Sequence, residues 1–443
     1  MPGPTVVPVQ GDSELPDRVD VVVIGGGIIG TSTALELQER GLKVALCEKG
    51  GIGQEQSSRN WGWVRISRRD VREIPLMVEA LRIWPGLNDR IQLDTGYKRA
   101  GIAFACKSDE EVEKYADWAE NLKPYQIKSG IVAPGKVDEL IPGLNYPVKG
   151  ALYTPMDGRA EPQKAAPAIA EGARANGAAV LTECAVRAVE TTAGRISGVV
   201  TERGPIACSA VVLAGGAWSR LFSGNMGIEL PQLKVMNTVL RTEPLEGGPE
   251  IAYWTEKVAF RKRQDGGYTI ADGTQNIVDI VPDSFRLAMK FFPALLHQWR
   301  DLSLRVGPRF AVEAGYARKW RPDEVTPFEK TRVLDPVPHQ GLAKKTLASA
   351  AEVAPIFAKA KVAQTWAGLI DVTPDAVPVI SKVDGVPGFH IATGFSGHGF
   401  GIGPGAGRLM ADIVSGATPC VDPHDFRLSR FFDGSKIVID SGF

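Results

Sequence analysis

The feature that most constrains this sequence is a glycine-rich turn between a predicted strand and a predicted helix near the N-terminus. Val19–Ile24 is a largely β-branched apolar run, and Gly25-x-Gly27-x-x-Gly30 follows it directly. Helix-forming residues continue over Thr31–Arg40, and Leu42–Cys47 is a second short apolar run. This order predicts a β-α-β unit whose turn binds a dinucleotide, because bare glycines let the backbone and the helix N-terminus approach a pyrophosphate.

An acidic residue supports this interpretation of the turn. Glu48 ends the second predicted strand, 21 residues after Gly27. A carboxylate at this place accepts hydrogen bonds from the adenosine ribose hydroxyls and repels a 2′-phosphate. The alternative is a glycine turn followed by a chance acid, but the complete strand, turn and helix context favours a cofactor site.

The composition describes a globular protein of two or three domains. The chain has 443 residues and a formal net charge of zero, which disfavours nucleic acid as a partner. The five cysteines are scattered and form no C-x-x-C pair, so we expect neither a disulfide framework nor a metal site. Residues 1–18 lack the apolar segment of a signal peptide and are expected to form a flexible tail. No run approaches the roughly 18 apolar residues of a membrane-spanning helix, and we expect a cytoplasmic protein.

Three further glycine-rich segments distinguish FAD from NAD. Gly51–Arg65 is a loop with two tryptophans, and Ala210–Gly216 is a strand-like run that ends in glycines. His390–Gly394 repeats that pattern, and Gly397–Gly405 then begins a predicted helix that continues through Val414. Glycine strand ends that converge on one ligand indicate a long dinucleotide, so FAD fits better than NAD. The N-terminus of the last helix can stabilise negative charge on the flavin.

These motifs resemble the D-amino acid oxidase (DAO) superfamily of FAD-dependent oxidoreductases over about residues 19–430. Within that superfamily, the chain is most similar to the bacterial membrane-associated L-amino acid deaminases. The superfamily resemblance rests on the fingerprint, Ser57-Ser58-Arg59, Leu213–Gly216, Trp366-Ala-Gly368, Thr373-Pro-Asp375, Ala392-Thr-Gly394 and Gly397-His-Gly399. The deaminase resemblance rests on Glu55–Arg59, Val199–Pro205, Ala214–Gly216, Ser219–Phe222 and Pro327–Lys330.

The resemblance implies an α/β (α+β) fold in which two domains are interleaved. A Rossmann-like FAD-binding domain would comprise residues 19–95, 157–228 and 355–430, and an antiparallel-sheet substrate domain would comprise residues 96–156 and 229–354. The flavin is expected to be non-covalent, because no cysteine lies between Trp366 and Asp375 and no histidine lies near the N-terminal loop. The implied cofactor-binding residues are Gly25, Gly27, Ile28, Ile29, Gly30, Glu48, Lys49, Gln56, Ser57, Ser58, Arg59, Asn60, Trp61, Gly62, Val186, Ala214, Gly215, Gly216, Trp218, Gly368, Gly394, Gly397, His398, Gly399, Phe400 and Gly401.

The implied reaction is oxidative deamination of a free amino acid. A hydride passes from the α-carbon to flavin N5, and water converts the resulting imine to a 2-oxo acid. A D-amino acid dehydrogenase or a secondary-amine dehydrogenase, acting on an N-methyl amino acid or an opine, is an alternative within the superfamily. An FAD-binding subunit without its own substrate site is an alternative of another class. The electron acceptor, oxygen or a quinone, stays open.

Five residues are candidates for the substrate side of the site. Arg261 resembles the deaminases' carboxylate-binding arginine, with an exposed strand arginine as the alternative. Phe395 matches an aromatic residue of the deaminase pocket, with core packing as the alternative. His398, between two glycines, is a candidate neighbour of the flavin or the substrate, with a structural role as the alternative. The other two candidates are Trp63 and Arg65.

Trp63 and Arg65 are candidates because this sequence differs from the family pattern at several pocket positions. Ile370 stands where many superfamily oxidases carry a carboxylate-binding arginine, so that role shifts to Arg261 or to Arg65. Trp63 replaces a pocket glutamine of the deaminases and Ala376 replaces a pocket glutamate. We therefore expect a more aromatic pocket, whose substrate preference cannot be carried over.

The remaining expectations concern secondary structure and membrane contact. Segment 285–310 mixes large apolar and basic residues and resembles the membrane-docking insertion of the deaminases. The alternative is a helix packed on the substrate domain. The membrane-docking interpretation implies peripheral contact with the inner face of the cytoplasmic membrane, and the packed helix does not. A capping box, Ser108–Glu111, predicts a scaffold helix that ends near Glu120. Strands that return to a sheet are predicted at Ala179–Leu181, Val186–Glu190, Ile196–Thr201 and Ala210–Ala214.

Overall fold

The glycine turn lies at the carboxyl edge of a six-stranded sheet in the computed structural model, which describes residues 3–299 and 302–440. All neighbouring strands are parallel except the first pair. Parallel strands end at the same edge, so Gly25 and Ala214 meet there. In sheet order the strands are Val379–Lys382, Phe389–Thr393, Ala210–Leu213, Val21–Ile24, Val44–Cys47 and Ala179–Leu181.

Four long helices pack beside this sheet. Ile28–Glu39 contacts both Pro162–Ala175 and Gly399–Ser415, and the latter also contacts Ile74–Ile91. A Cβ at Gly407 would lie 2.6 Å from Ser32, so a glycine is needed for two of these helices to approach so closely. The helices predicted near residues 31–40 and 397–414 are thus confirmed, each with slightly different ends.

A second sheet of ten strands forms the other wall of the molecule. Its neighbouring strands are antiparallel apart from two pairs. One mostly parallel sheet combined with one mostly antiparallel sheet confirms the predicted fold class. The strands in order are Leu302–Arg305, Asn276–Asp279, Leu233–Thr242, Tyr268–Asp272, Val258–Lys262, Ala252–Trp254, Ile102–Cys106, Gly150–Thr154 and Gly130–Val132, and Val362–Val372 pairs with Leu233–Thr242.

The position of Val362–Val372 differs from the predicted domain boundary at residue 355. This strand pairs with Leu233–Thr242 along its whole length, from Val372 opposite Leu233 to Val362 opposite Thr242. Its Trp366-Ala-Gly368 motif therefore approaches the cofactor region from the second sheet. Sequence proximity to the last glycine segments had suggested the other domain.

Two of the four strands predicted between residues 179 and 214 form a separate sheet. Val186–Thr192 and Arg195–Thr201 pair with each other, and Gly204–Ala207 completes an antiparallel three-stranded sheet. The hairpin closes through Ala193 and Gly194, whose φ angles are +50° and +76°. Two consecutive positive φ values are typical of the tight turn that joins antiparallel strands, which the apolar pattern alone does not reveal.

The N-terminal segment is docked on the protein, in contrast to the predicted flexible tail. The Asp12 amide donates to the Val180 carbonyl at 2.8 Å, and the Val180 amide donates to the Asp12 carboxylate at 2.6 Å. The Val7 amide donates to the Gln163 backbone carbonyl at 3.0 Å, and the Arg203 guanidinium donates to the Ser13 carbonyl at 2.6 Å. These backbone contacts explain why a polar, proline-containing segment is ordered without an apolar core of its own.

The remaining elements connect and cover the sheets. The helix and its Ser108 N-cap are confirmed, since the Ser108 hydroxyl accepts from the Glu111 amide at 3.2 Å. The reciprocal bond of the predicted capping box is not formed, because the Glu111 carboxylate accepts from the Lys107 amide at 2.6 Å. Within the two described ranges, no helix has the length and apolar character needed to cross a bilayer. The other α-helices are Gln56–Arg59, Asp109–Glu120, Pro134–Leu140, Ser219–Asn225, Pro282–Arg286, Ala288–Gln298, Arg309–Ala314, Pro327–Lys330 and Gln340–Val353. The 3-10 helices are Val71–Glu73, Lys123–Tyr125, Gly216–Trp218, Pro355–Lys359, His424–Phe426 and Leu428–Phe431, and a small sheet joins Trp63–Val64, Gly158–Arg159 and Lys98–Arg99.

Candidate functional site

A cavity of about 610 Å³ is lined by residues of both large sheets. One end is lined by the glycine-rich strand ends, and the other end by aromatic and cationic side chains. Gly25 shows why the first end needs glycines: its φ is +110°, and a Cβ there would lie 2.4 Å from the Ala214 carbonyl oxygen. A side chain would therefore disturb the meeting of the two strand ends.

Most of the predicted cofactor-binding residues line this cavity. Gly30, Ser58, Gly62 and Gly394 do not. Gly30 packs against the Gly25 carbonyl and the Gly394 amide donates to the Asp371 carboxylate at 2.7 Å, so both support the site from behind. Those that line the cavity are Gly25, Gly27, Ile28, Ile29, Glu48, Lys49, Gln56, Ser57, Arg59, Asn60, Trp61, Val186, Ala214, Gly215, Gly216, Trp218, Gly368, Gly397, His398, Gly399, Phe400 and Gly401.

Two helices begin at the cavity, and neither is capped by the side chain of its N-cap residue, although the Ile28 amide donates to the Ser57 hydroxyl at 2.8 Å. Ile28–Glu39 starts after Gly27, and Gly399–Ser415 starts after His398. The first amides of a helix have no partner within the helix and carry partial positive charge, so these ends suit an anionic ligand. The glycine cradle and the two helix ends fit the phosphates and the ring system of FAD.

Glu48 lies at the place predicted for a ribose-binding acid. Its carboxylate lines the cavity and accepts hydrogen bonds from the Gly26 amide at 2.7 Å and the Gly50 amide at 2.8 Å. Burial raises the pKa of Glu48, although Lys49 and these amides oppose the shift. Two backbone amides therefore fix the Glu48 carboxylate at the cavity wall, and its contact with the adenosine ribose stays a prediction.

Arg68 stands out at the aromatic end of the cavity. Its guanidinium carbon lies 4.5 Å from the ring centre of Trp254, 5.0 Å from that of Tyr115 and 5.2 Å from that of Phe104. Among residues 3–299 and 302–440, no carboxylate lies within ion-pair distance of it. Its φ is +55°, an uncommon conformation for a residue with a side chain. The three aromatic rings thus pack against the Arg68 guanidinium at the cavity wall, and its N–H groups remain available to a ligand.

Arg65 lies on the same turn and also lines the cavity. Its guanidinium donates to the Ser67 carbonyl and lies 5.7 Å from the ring centre of Phe104. Burial lowers the pKa of Arg65 to about 9, with further lowering by the neighbouring Arg69 and Arg68. The guanidinium is still charged at neutral pH, and an anion beside it would be stabilising.

His398 forms a buried cluster with Glu73 and Arg69. Its Nδ1 lies 3.1 Å from the Glu73 carboxylate, and Arg69 donates both to that carboxylate, at 3.3 Å, and to the His398 carbonyl, at 3.0 Å. Burial lowers the pKa of His398 although Glu73 opposes this, so the imidazole is neutral at neutral pH. Burial disfavours ionised Glu73, but His398 and Arg69 outweigh it and hold its pKa below the ordinary value.

Arg261 does not lie on the cavity, and its predicted role at the substrate carboxylate is corrected by the geometry. Its guanidinium is fully buried and is paired with Glu161 at 2.8 Å and 3.2 Å. Its Nε donates to the Trp61 carbonyl. All three nitrogens of the guanidinium therefore donate to groups within the protein, and the side chain is not part of the cavity wall.

The other predicted substrate-side residues line the cavity. Trp63 and Phe395 contribute aromatic surface, and the Trp63 ring contacts Phe104 edge to face at 5.8 Å. Ile370 also faces the cavity, which agrees with an apolar residue in place of the superfamily arginine.

Sequence reasoning missed several residues of the aromatic end. Lys114, Tyr115 and Trp118 come from the helix Asp109–Glu120, which the capping box had suggested was scaffold. The Trp118 indole donates to the Arg69 carbonyl at 2.9 Å, which fixes this helix against the arginine turn. Lys114 and Trp118 are four residues apart and Tyr115 and Trp118 are three apart, so these side chains lie on one face of the helix. This spacing was the sequence pattern that could have identified them.

Asp157 holds the turn that carries Arg65 and Arg68. Its carboxylate accepts from the Ile66 amide at 2.7 Å, from the Ser67 amide at 3.3 Å and from the Ser67 hydroxyl. Burial raises the pKa of Asp157 to about 6, although these donors and Arg65 favour the ionised form.

We expect Asp157→Asn to change how stability depends on pH between about 4 and 6. The folded-state pKa of about 6 exceeds the ordinary value of 3.8. The contribution of this group is therefore fully present below about pH 4 and is lost as the pH rises to about 6, by roughly 3 kcal/mol. Asparagine does not ionise, so the free energy of unfolding of the wild type relative to the variant should fall over this range and then stay level. Urea titrations at each pH measure it, and a constant difference from pH 4 to 7 would contradict it.

Comparison with known proteins relates the whole chain to one group. Residues 20–413 match the family DAO, FAD dependent oxidoreductase. The L-amino acid deaminase of Proteus myxofaciens in complex with anthranilate is 33% identical, covers 96% of each chain and superposes with a TM-score of 0.93. The L-amino acid deaminase of Proteus vulgaris is 30% identical over 95% of this chain and 99% of that chain, with a TM-score of 0.91. The sarcosine oxidase subunit beta of Rhodobacter capsulatus is 26% identical over 95% of this chain and 90% of its own length.

Proposed function

Because this chain belongs to the DAO family of FAD-dependent oxidoreductases, we propose that it oxidises a free amino acid at the α-carbon, as an L-amino acid deaminase does. The chemistry that bound FAD supplies is acceptance of a hydride from that carbon, after which the imine hydrolyses to a 2-oxo acid. The proposal is supported by the similarity to two deaminases at 33% and 30% identity.

The observation that carries the proposal is the guanidinium of Arg68 at the aromatic end of the cavity, which has no acidic partner among the residues that the structure describes. A guanidinium fork suits a carboxylate, because two parallel N–H groups can donate to its two oxygens. Arg65 lies three residues away on the same turn and adds a second cation. The anthranilate held by the Proteus myxofaciens protein is an aromatic carboxylate, which suits a site of this composition.

The surrounding residues orient the substrate and exclude water. Trp63, Phe104 and Trp254 form an apolar wall, which strengthens the attraction between an arginine and a carboxylate. In neutral His398 the Nδ1–H group donates a hydrogen bond to the Glu73 carboxylate. The Nε2 atom therefore carries no hydrogen and can accept a hydrogen bond from a ligand. This arrangement favours a substrate amine that is bound in its neutral form.

A second candidate function is oxidation of a secondary amine. It is supported by the similarity to a protein named sarcosine oxidase subunit beta, over 95% of this chain. Ile370 also leaves an apolar surface where an N-alkyl group could lie. Chirality and amine substitution both depend on the pocket shape rather than on the FAD-binding residues.

Anaerobic flavin bleaching tests these functions together. The FAD-loaded protein is mixed with matched pools of L-amino acids, D-amino acids and N-alkylated amino acids, and absorbance near 450 nm is followed. Bleaching by the L pool alone is expected. Bleaching only by another pool would replace the proposal with the corresponding alternative. If no pool bleaches the flavin, the chain is an FAD-binding subunit whose partner performs the chemistry. Reoxidation of the bleached flavin by air or by a soluble quinone then identifies the electron acceptor.

We also propose that segment 285–310 contacts a membrane surface. The helix Ala288–Gln298 buries Phe291 and Ala294 against the protein. Its other face carries large apolar residues that are exposed, among them Met289 at 86%, Leu296 at 61% and Phe292 at 53%. An isolated exposed apolar residue is ordinary, but a cluster of this size marks an interaction surface. Residues 300 and 301 of the segment lie outside the described residues.

Replacing the exposed face should abolish membrane binding without affecting FAD. We expect the triple variant Met289→Ser, Phe292→Ser and Leu296→Ser to remain in solution when the wild type sediments with anionic vesicles. Val7→Ser, Val71→Ser and Leu93→Ser, at other exposed apolar positions, form a matched control that should sediment like the wild type. Equal sedimentation of both triple variants, or none by the wild type, would exclude this segment as a membrane contact.

A further inference from the structure

The aromatic end of the cavity carries more positive than negative charge. Arg65, Arg68 and Arg69 lie on one short turn, and all three line the cavity. Two buried carboxylates offset them: Glu73 accepts from Arg69 at 3.3 Å, and Asp157 acts on Arg65 electrostatically. Three guanidiniums against two carboxylates leave one positive charge without a partner.

Lys114 adds a second cation to the same wall. It lines the cavity from the helix Asp109–Glu120, one residue before Tyr115, whose ring lies against Arg68. Among the ion pairs of the described ranges, neither Lys114 nor Arg68 has an acidic partner. Together these residues form a cationic subsite, defined here as Arg65, Arg68 and Lys114.

Acidic residues elsewhere on the cavity do not balance the cationic subsite. Asp272 accepts from the Thr274 and Gln275 amides at 3.1 Å and 2.9 Å, and Asp371 accepts from the Gly394 amide at 2.7 Å. Asp371 also accepts from the Gln232 side-chain amide at 2.9 Å and from the Thr393 hydroxyl at 3.1 Å, and Asp272 lies 3.9 Å from Lys345. Both carboxylates are therefore engaged by groups outside the cationic subsite. A partly buried cation without a counter-ion costs free energy, which an anionic ligand offsets on binding.

We propose that the substrate carries two carboxylates, one bound by Arg65 and the other by Arg68, with Lys114 attracting the anion at the cavity wall. The inference rests on the proposed oxidation of an amino acid and specifies its substrate class. Such a substrate is either an amino acid with an acidic side chain or an amino acid with a carboxyalkyl group on nitrogen. An amino acid with a single carboxylate, bound with its amine neutral, carries one negative charge and would balance only one of the two cations, Arg68 and Lys114, that have no acidic partner among the described residues.

Binding of non-reacting acids tests the subsite separately from turnover. Succinate and butyrate have equal chain length, and each is titrated into the FAD-loaded protein at constant ionic strength while the flavin spectrum is recorded. Succinate is expected to bind about tenfold or more tightly than butyrate. Arg65→Met and Arg68→Met should each remove this preference, whereas Arg82→Met, at an exposed position on the helix Ile74–Ile91, should keep it. Equal affinity for the two acids, or a preference that survives both variants, would overturn the proposal.

Flavin reduction then separates the two sources of the second carboxylate. Glutamate and aspartate of both chiralities are compared with N-(carboxymethyl) amino acids, and glutamine and norvaline serve as neutral counterparts. We expect one acidic group of substrates to reduce the flavin at least tenfold more efficiently than its neutral counterpart. If neutral amino acids reduce it equally well, the dicarboxylate inference is wrong while the proposed oxidation stands. If no amino acid reduces it, the proposed oxidation fails, and the succinate titration still decides the charge preference of the cavity.

Discussion

Replacing Arg68 by methionine is expected to lower kcat/KM for the amino acid substrate by about 100- to 1,000-fold. Methionine retains a flexible apolar chain against Trp254, Tyr115 and Phe104, so the aromatic packing around position 68 should persist. The change removes the charge and the paired N–H donors. Loss of one partner of a desolvated ion pair costs about 2–5 kcal/mol, which is about 30- to 5,000-fold and includes the expected range.

The measurement combines stopped-flow flavin reduction with the FAD content of the purified variant. We expect unchanged FAD content, because the glycine end of the cavity is not touched by the substitution. Arg82→Met is the matched control, since that side chain is 70% exposed and, among the ion pairs of the described residues, is paired with Glu79 alone, at 3.3 Å. If Arg68→Met and Arg82→Met reduced the flavin with equal efficiency, Arg68 would have no part in substrate binding.

The cofactor end of the cavity could be predicted from the sequence because its information is local. The turn from Gly25 to Gly30 lies between a strand and a helix that are adjacent in the chain, and both Gly25 and Gly30 are required by close backbone contacts. The same holds for Ala214–Gly216 and Gly397–Gly401, which end or begin regular elements. Parallel strand pairing then places these segments at one edge without any further information.

The substrate end could not be predicted in this way, because its side chains come from distant segments. Arg68 follows a two-residue strand, Tyr115 lies on a helix read as scaffold, and Trp254 lies on a strand of the second sheet. Their meeting depends on the pairing of Ala252–Trp254 with Ile102–Cys106, a register that no local pattern indicates. The backbone of Arg68 also has an uncommon conformation, with a φ of +55°, which the sequence does not reveal.

Arg261 shows how a resemblance can assign a residue without showing its partner. A resemblance can align an arginine with a family position, but it cannot show that Glu161, 100 residues away, engages both of its terminal nitrogens. The partner lies directly before the helix Pro162–Ala175, as the N-cap residue of that helix. Distant charge pairing of this kind becomes visible only when both segments have been placed.

The ion pair between Arg261 and Glu161 yields the largest expected effect on stability. Glu161→Leu should lower the free energy of unfolding by about 3–5 kcal/mol, because it leaves the fully buried Arg261 without a counter-ion. Arg261→Met should cost less, since Glu161 still accepts from the Gln264 amide at 2.8 Å and lies 3.9 Å from Arg263. Urea unfolding of the FAD-loaded protein measures both changes.

The double variant separates a structural role of Arg261 from a role in substrate binding. Combining Glu161→Leu with Arg261→Met removes both charges and replaces them with apolar side chains, so we expect it to recover more than half of the stability lost in Glu161→Leu. It does not recover all of it, because the Trp61 carbonyl and the Gln264 amide lose their partners. If Arg261 served only the fold, this restored protein would bind substrate with the wild-type KM. A stable double variant with a KM raised about tenfold or more would instead return Arg261 to the substrate site, because its buried ion pair could then no longer explain the loss.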